Sequence, residues 1–527
     1  MKATLIGATL VVCLVGASLS AQTPQQQRLA EQAQLAQLQA ANQIESLGDR
    51  IKEIQRIQAA YPDSSMRVMI DIDLLNAVSL NADTLEKVLA AQGEVIKAAR
   101  PQDKPRLLET AATMLTARHP KAAEFPKAGV LKAVQGYRSE LLATLSNPEI
   151  SGGMPESNRN NMKNSLAALL VSALIANGDY SAALDALQEN KGTTRLEPSF
   201  YFLTGEALAG LKRDKEALDA YYLAAVDGHQ PSVEKAKALY AKFSGINGTA
   251  ANFDADLISR RAALPFHPPP FKAPENWQGR AVLAELFTGS ECPPCVAADF
   301  AFDGLIETYP TKHLVVLVYH LPIPRYDPMM NHATIRRQAY YGPSVITGTP
   351  TVVVDGVNKV NAGGYYRYET PLRSFNAIKA KIDDLMGAAT EVSIKASAAL
   401  NGDKVQVDCE FSKVIPNADY NIVLVQGEEI FYGFNTIVSH KMVVRDMATV
   451  SPAAKATFVF NIPEGEKTAS EFITEWGKTG PAAARIRGSS WPQQNTKVNR
   501  DSLKAVVFVQ DKETKQIHNS FVVDVKR

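Results

Sequence analysis

The stretch LPFHPPPFKAP, residues 264–274, constrains this chain more than any other. Its five prolines remove backbone donors and favour extended polyproline geometry, so neither a helix nor a central strand passes through it. The segments on either side must therefore form their own elements. On the N-terminal side, apolar residues recur at helical spacing. On the C-terminal side, residues 281–387 alternate strand-like and helix-like runs, and beyond Thr390 the period becomes two. At 527 residues the chain is long enough for three or four domains on a prior of roughly 150 residues each. The expected class is multidomain: an all-α repeat region over 22–260, a Pro-rich linker over 261–274, an α/β domain over 275–387, and an all-β sandwich over 388–527.

The first 21 residues, MKATLIGATLVVCLVGASLSA, combine one lysine, an apolar run from Leu5 to Gly16 and a small-residue end. This is the pattern of a secretory signal peptide, and it predicts an exported protein, periplasmic or extracellular. Cys13 as a lipid-modified cysteine is the alternative, disfavoured by the bulky Val12 before it. No other run approaches the roughly 18 apolar residues a membrane span needs, so no transmembrane anchor is expected once the signal is removed. Lys+Arg (56) and Asp+Glu (55) nearly cancel, which argues against nucleic acid as the main partner.

Residues 22–60 are rich in Gln and Ala, and Ile44, Leu47, Ile51 and Ile54 follow a 3,4,3 spacing. That spacing predicts a helix with a short coiled-coil-like seam. Further on, ANGDYSAALDAL (176–187) overlays GLKRDKEALDAY (210–221), matching Ala183 to Ala217 and Leu184 to Leu218. The offset, 217 − 183 = 34, is the tetratricopeptide period, and the segment 161–245 resembles about two such repeats without their usual early Trp. Gly205, Ala207 and Leu208 supply the small and apolar residues for helix packing. An ordinary helical hairpin array is the plainer alternative.

The chemistry concentrates in FTGSECPPCVAADF, residues 287–300. A Cys-x-x-Cys that comes after a strand and opens a helix places its first thiol among unpaired N–H groups that favour thiolate. The second thiol, one turn on, is within reach to form a disulfide. Pro293 and Pro294 suit a first helical turn. On this reading Cys292 attacks and Cys295 resolves. A metal site and a purely structural disulfide remain open; His320 and His332 would complete a copper or zinc ligand set, although no second Cys pair is present. Cys409, in the alternating VQVDCEF, reads as a buried core thiol.

A second element lies in GTPTVVVDG, 348–356, where Pro350 immediately precedes a strand. With it, residues 275–387 resemble the thioredoxin superfamily, and the FTG before the Cys pair resembles its extracytoplasmic members most. The resemblance implies a thioredoxin fold, a redox-active disulfide between Cys292 and Cys295, a cis bond before Pro350, and Thr349 as the residue pairing with substrate backbone. It also implies that no dissolved cofactor is needed and no metal is held. Two departures stand out: the family's Trp before the first Cys is Glu291, and its buried acid six residues upstream is Leu286, with neighbouring Glu285 expected on the opposite strand face. Proton transfer to Cys295 therefore lacks an obvious carrier, and Glu291 adds negative charge beside Cys292. The insert YHLPIPRYDPMMNHATIRRQAYYG, 319–342, predicts a helix starting near Asp327 and Asn331. Its Arg336, Arg337, Tyr340 and Tyr341 form either a substrate-selecting wall or a packed excursion. The cluster in SHKMVVRDM, 439–447, is explained by strand alternation and is given no catalytic role.

The function this implies is thiol-disulfide oxidoreduction on protein disulfides or dithiols, reset by a redox partner protein, with the helical repeats presenting a face to a further protein partner. The alternatives are a non-catalytic secreted binding or scaffold protein that kept the fold, and a metallochaperone.

Overall fold

The helical pattern ahead of the prolines becomes, in the computed structural model of the protein, a succession of helices, and the pattern behind them feeds a mixed sheet of 11 strands. The structure describes residues 24–190, 198–243, 250–273, 275, 277–324, 326–365, 367, 370–479 and 494–527. The expected signal sequence and Cys13 lie outside these. The chain divides into two compact units, Met1–Thr194 and Arg195–Arg527. No described helix is long and apolar enough to cross a membrane.

The first unit runs from helix Pro24–Asn42 to helix Tyr180–Asn190. Here the 3,4,3 spacing misleads: no single helix carries Ile44 and Ile54. The first helix ends at Asn42 and the next begins at Leu47. Ser46 Oγ accepts the Asp49 N–H at 3.4 Å, and Arg50 Nη2 donates to the Ile44 carbonyl at 2.6 Å, so side chains satisfy the groups that a continuous helix would have paired. Ile54 and Ile57 then face the core.

The two segments related by 34 residues each occupy a turn and the helix after it, Tyr180–Asn190 in the first unit and Asp214–Val226 in the second, and Ala183 and Ala217 are both fully buried. Gly205, in helix Pro198–Gly210, lies against the Tyr221 ring. A Cβ there would come 2.5 Å from the ring, so this helix pair closes only because the residue is glycine.

The strands of the second unit are β1 Val282–Thr288, β2 Leu314–His320, β3 Thr351–Val354, β4 Asn358–Val360, β5 Ile394–Asn401, β6 Lys404–Phe411, β7 Ala418–Ile430, β8 Ser439–Val450, β9 Lys455–Asn461, β10 Leu503–Asp511 and β11 Ile517–Lys526. Their order is β4-β3-β1-β2-β8-β7-β10-β11-β5-β6-β9. β1 and β2 pair in parallel and every residue in both is buried, which accounts for runs that are apolar apart from Glu285, Thr288 and His320. No break in the sheet falls near residue 388, because β2 pairs with β8 at Val318 and Val443 and thereby joins the strands of the α/β part to the C-terminal ones. Alternation along β7 and β10 serves two cores. Val423, Val425, Val506 and Phe508 face the core shared with β1 and β2. Ile422, Leu424, Ala505 and Val507 face a second core with Val405, Val407, Cys409 and Phe411 of β6. Cys409 is a free, buried thiol, and burial pushes it up to about 11.

The insert between β2 and β3 is packed inward. Its helix, His332–Tyr341, starts with a capping box in which the Asn331 side chain accepts the Ala333 and Thr334 N–H groups. Arg337 donates to both oxygens of Glu285, at 2.7 and 2.9 Å, and to Gln510 at 2.7 Å; Tyr341 also donates to Glu285. Glu285 and Arg337 are almost wholly buried, on the β1 face away from helix Val296–Thr308. Arg337 and Tyr341 are thus internal packing partners, although Arg336, Arg337 and Tyr340 also border a cavity of about 580 Å³ with Asp419 and Asp446. Removing one member of a buried ion pair strands the other, so Glu285→Ala should destabilise the second unit by about 3–5 kcal/mol in denaturant unfolding. Glu285→Met with Arg337→Met should recover a large part of that loss.

Candidate functional site

β1 delivers the chain to the Cys pair. After Thr288 the segment Gly289-Ser290-Glu291 turns, and Gly289 O accepts the Cys292 N–H at 3.1 Å. Cys292 is extended; Pro293–Cys295 forms a single 3-10 turn, and helix Val296–Thr308 continues from it. Prolines fit there because the first turn has no intrahelical use for their missing donors. Cys292 and Cys295 form a disulfide with a Cα–Cα separation of 5.4 Å. Both cysteines are fully buried.

Three segments close around this turn. The Thr349–Pro350 bond is cis, and Thr349 Oγ1 lies 3.3 Å from Cys292 Sγ and 2.9 Å from the Ile323 carbonyl oxygen. The segment after β4 runs beside the prolines: Gly364 N donates to Pro294 O at 2.9 Å, and Ala297 N donates to Gly364 O at 3.1 Å. The connection between β7 and β8 covers Ser290, whose carbonyl accepts the Asn435 N–H at 3.0 Å, while Asn435 Nδ2 donates to Gly289 O at 3.2 Å. A Cβ at Gly433 would sit 2.9 Å from Ser290 O, so only glycine allows this approach.

Arg367 ties two of these segments to the helices. Its guanidinium donates to the carbonyls of Val226 (2.7 Å), Arg261 (3.2 Å) and Thr436 (3.1 Å), and lies over the Phe300 ring. Asp227 stands 3.5 Å from it, and burial pushes the Asp227 carboxyl up to about 6.

Beneath the turn lies a group of buried titratable side chains that no local pattern announces. Asp327 accepts the Ser290 N–H at 2.6 Å and the Met329 N–H at 2.8 Å, and faces His320 Nδ1 at 3.1 Å. Burial opposes its charge, but His320 and the two N–H donors outweigh burial and hold the carboxyl below its usual range. His440, explained by strand alternation alone in the sequence, comes ring to ring with His320 at 5.2 Å. Burial, reinforced by His320, lowers His440 to about 3, so it is neutral. His332 packs on Phe472 instead. Among the described residues, no group of three or more His, Cys, Asp and Glu side chains is arranged to hold a metal ion.

Two acids come after the Cys pair on one face of its helix. Asp299 accepts a hydrogen bond from Thr288 Oγ1 at 2.8 Å, and burial, with help from the Asp303 and Asp327 charges, pushes its carboxyl well above the ordinary value. Asp303 is raised to about 7, chiefly by burial and against the pull of Lys441. Leu286, at the position of the expected acid, shares its strand face with Thr288, whereas Glu285 is committed to Arg337. A signal was present: 295, 299 and 303 are spaced four apart, the spacing of one helical stripe.

No protein-family model matches the chain, and no curated protein matches it.

The raised carboxyls set a pH dependence. Asp303 stays protonated in the native protein up to about pH 7, while the unfolded chain has released that proton above its ordinary range near 3.8. The native state therefore binds more protons in this window, and stability contributed by Asp303 falls as pH rises from about 4 to 7. Asp303→Asn should remove that slope, its melting temperature gaining on the wild type as pH increases across the window.

Proposed function

We propose that the chain is a thiol-disulfide oxidoreductase of the thioredoxin-like kind, acting on protein disulfides or dithiols through Cys292 and Cys295. In this reading the α/β part of the second unit is a thioredoxin fold and its C-terminal strands add a β-sandwich layer. The observation that carries it is the disulfide at a strand-to-helix junction with Thr349 Oγ1 3.3 Å from Cys292 Sγ. The positive dipole end of helix Val296–Thr308, which starts directly after the Cys pair, favours thiolate at Cys292.

The exchange balances with the oxidised protein as electron acceptor. A substrate thiolate attacks Cys292 Sγ, forming a mixed disulfide and breaking the Cys292–Cys295 bond, whose electron pair leaves on Cys295. Asp299, four residues further along and with its carboxyl pushed well above its ordinary value by burial, supplies the proton that Cys295 takes up. A second substrate thiolate then attacks the mixed disulfide and releases Cys292 as thiolate, leaving the substrate oxidised by two electrons. With a substrate disulfide the same steps run in reverse, and Asp299 receives the Cys295 proton. In this reading Thr349 and Pro350 hold substrate backbone beside Cys292. An exported location, a redox partner that resets the pair, and a protein bound by the helical repeats complete the proposal.

The burial of both cysteines favours a second reading, a binding or scaffold protein whose disulfide is only structural. Glutathione titration separates the two. An oxidoreductase should give a potential between about −270 and −120 mV with disulfide exchange that Cys292→Ser abolishes; a potential below about −300 mV without exchange means a structural bond. With the reduced protein and a substrate disulfide, Asp299→Asn should leave formation of the mixed disulfide intact and slow its resolution by Cys295 about tenfold or more, as seen by stopped-flow trapping at pH 7.

A further inference from the structure

A cavity of about 430 Å³ opens beside the disulfide, lined by Pro294, Asn361, Gly363, Gly364, Thr370 and Arg373 among others. That volume falls in the range of sites that take a side chain or small ligand, roughly 300–1,000 Å³. Pro294 belongs to the Cys-Pro-Pro-Cys turn itself, and Gly364 is hydrogen-bonded to it, so whatever enters the cavity lies against that turn. Polar surface dominates the lining. Ser374, also in the wall, already donates to the Ala362 carbonyl at 2.8 Å and has no proton left to offer. Arg373 differs: its side chain is exposed, it enters no ion pair or hydrogen bond among the described residues, and it is the one charged group among the described residues of the wall.

Negative charge lies on the other flank of the turn. Burial chiefly, with the charges of Asp327 and then Glu291, raises the Tyr326 phenol, and Asp327 holds the Ser290 N–H. The disulfide thus sits between an acidic flank at Ser290 and Glu291 and a basic cavity at Pro294. A polypeptide crossing it is oriented by its own charge.

We propose that this cavity receives an acidic side chain of the polypeptide exchanging at Cys292, with Arg373 holding its carboxylate. The inference rests on the oxidoreductase reading of the Cys pair. A planar guanidinium with spare donors is the natural partner for a carboxylate, and a glycine-lined wall lets the chain approach closely.

The test uses two synthetic peptides with the same intramolecular disulfide, flanked by Glu in one and by Gln in the other, and the full-length reduced protein. The wild type should show a kcat/KM about three- to tenfold higher for the Glu peptide, a preference that shrinks with added salt. Arg373→Ala should equalise the two peptides, Arg373→Lys should restore part of the preference, and Arg373→Glu should invert it, while the rate on the Gln peptide stays as in the wild type. Exchange on both peptides at equal rates, unaltered by Arg373→Ala, would overturn the inference and leave the redox reading standing. Absence of Cys292-dependent exchange on either peptide would remove both together.

Discussion

One buried guanidinium organises the surroundings of the disulfide. Arg367 supplies donors to carbonyls at the C-terminal ends of helix Asp214–Val226 and helix Ala250–Ala262, and to Thr436 beyond β7. Carbonyls at helix ends have no partner within their own helix, and the negative end of the helix dipole favours a cation there. A single side chain with five donors therefore satisfies acceptors from three separate segments. Its own backbone lies three residues after Gly364, which touches Pro294, and Thr436 lies next to Asn435, which holds Ser290. Both segments that flank the Cys pair are in this way referred to the same fixed point. Asp227 and the Phe300 ring balance the charge, which is the condition for keeping a guanidinium in a core.

The sheet below depends in the same way on paired buried charge. Glu285 occupies a strand with every residue buried, a position where an unpaired carboxylate would cost several kcal/mol. The insert after β2 brings Arg337 and Tyr341 to it, so the insert is anchored to the sheet through Arg337, while Arg336 reaches the Met447 carbonyl near the surface. Asp327, in the same insert, satisfies the turn ahead of Cys292. The excursion from 319 to 342 thus carries two anchors, one to the core of the sheet and one to the Cys-Pro-Pro-Cys turn, and its length is explained by the need to reach both.

Much of this was legible along the chain. Parallel strands showed as mainly apolar runs, β5, β6 and β9 as alternation, and the helix after β2 by its Asn331 cap. The Cys pair announced itself by type and spacing, and the stripe from Cys295 through Asp299 to Asp303 was there to be read. Other features were hidden. The break at Asn42–Leu47 defeated a spacing rule because local capping by Ser46 and Arg50 outweighed it. His440 looked like an ordinary strand residue, since nothing in its neighbours reveals that the opposite strand ends in His320. Helix Ile462–Thr479, between β9 and β10, interrupts a region whose period of two points to strands alone.

The division follows the range of the forces involved. Proline's missing donor, the period of apolar residues and the placement of two thiols one turn apart act over a few residues, so the sequence alone determined the strand, the Cys-Pro-Pro-Cys turn and the helix behind it. Which groups surround the disulfide was decided only by the order of strands in the sheet. Asn435 meets Gly289 across 146 residues, and the guanidinium of Arg367 meets Val226 across 141. Such contacts form only where burial has removed water and an acceptor must be paired inside the protein, and no local pattern records which distant residue will do it.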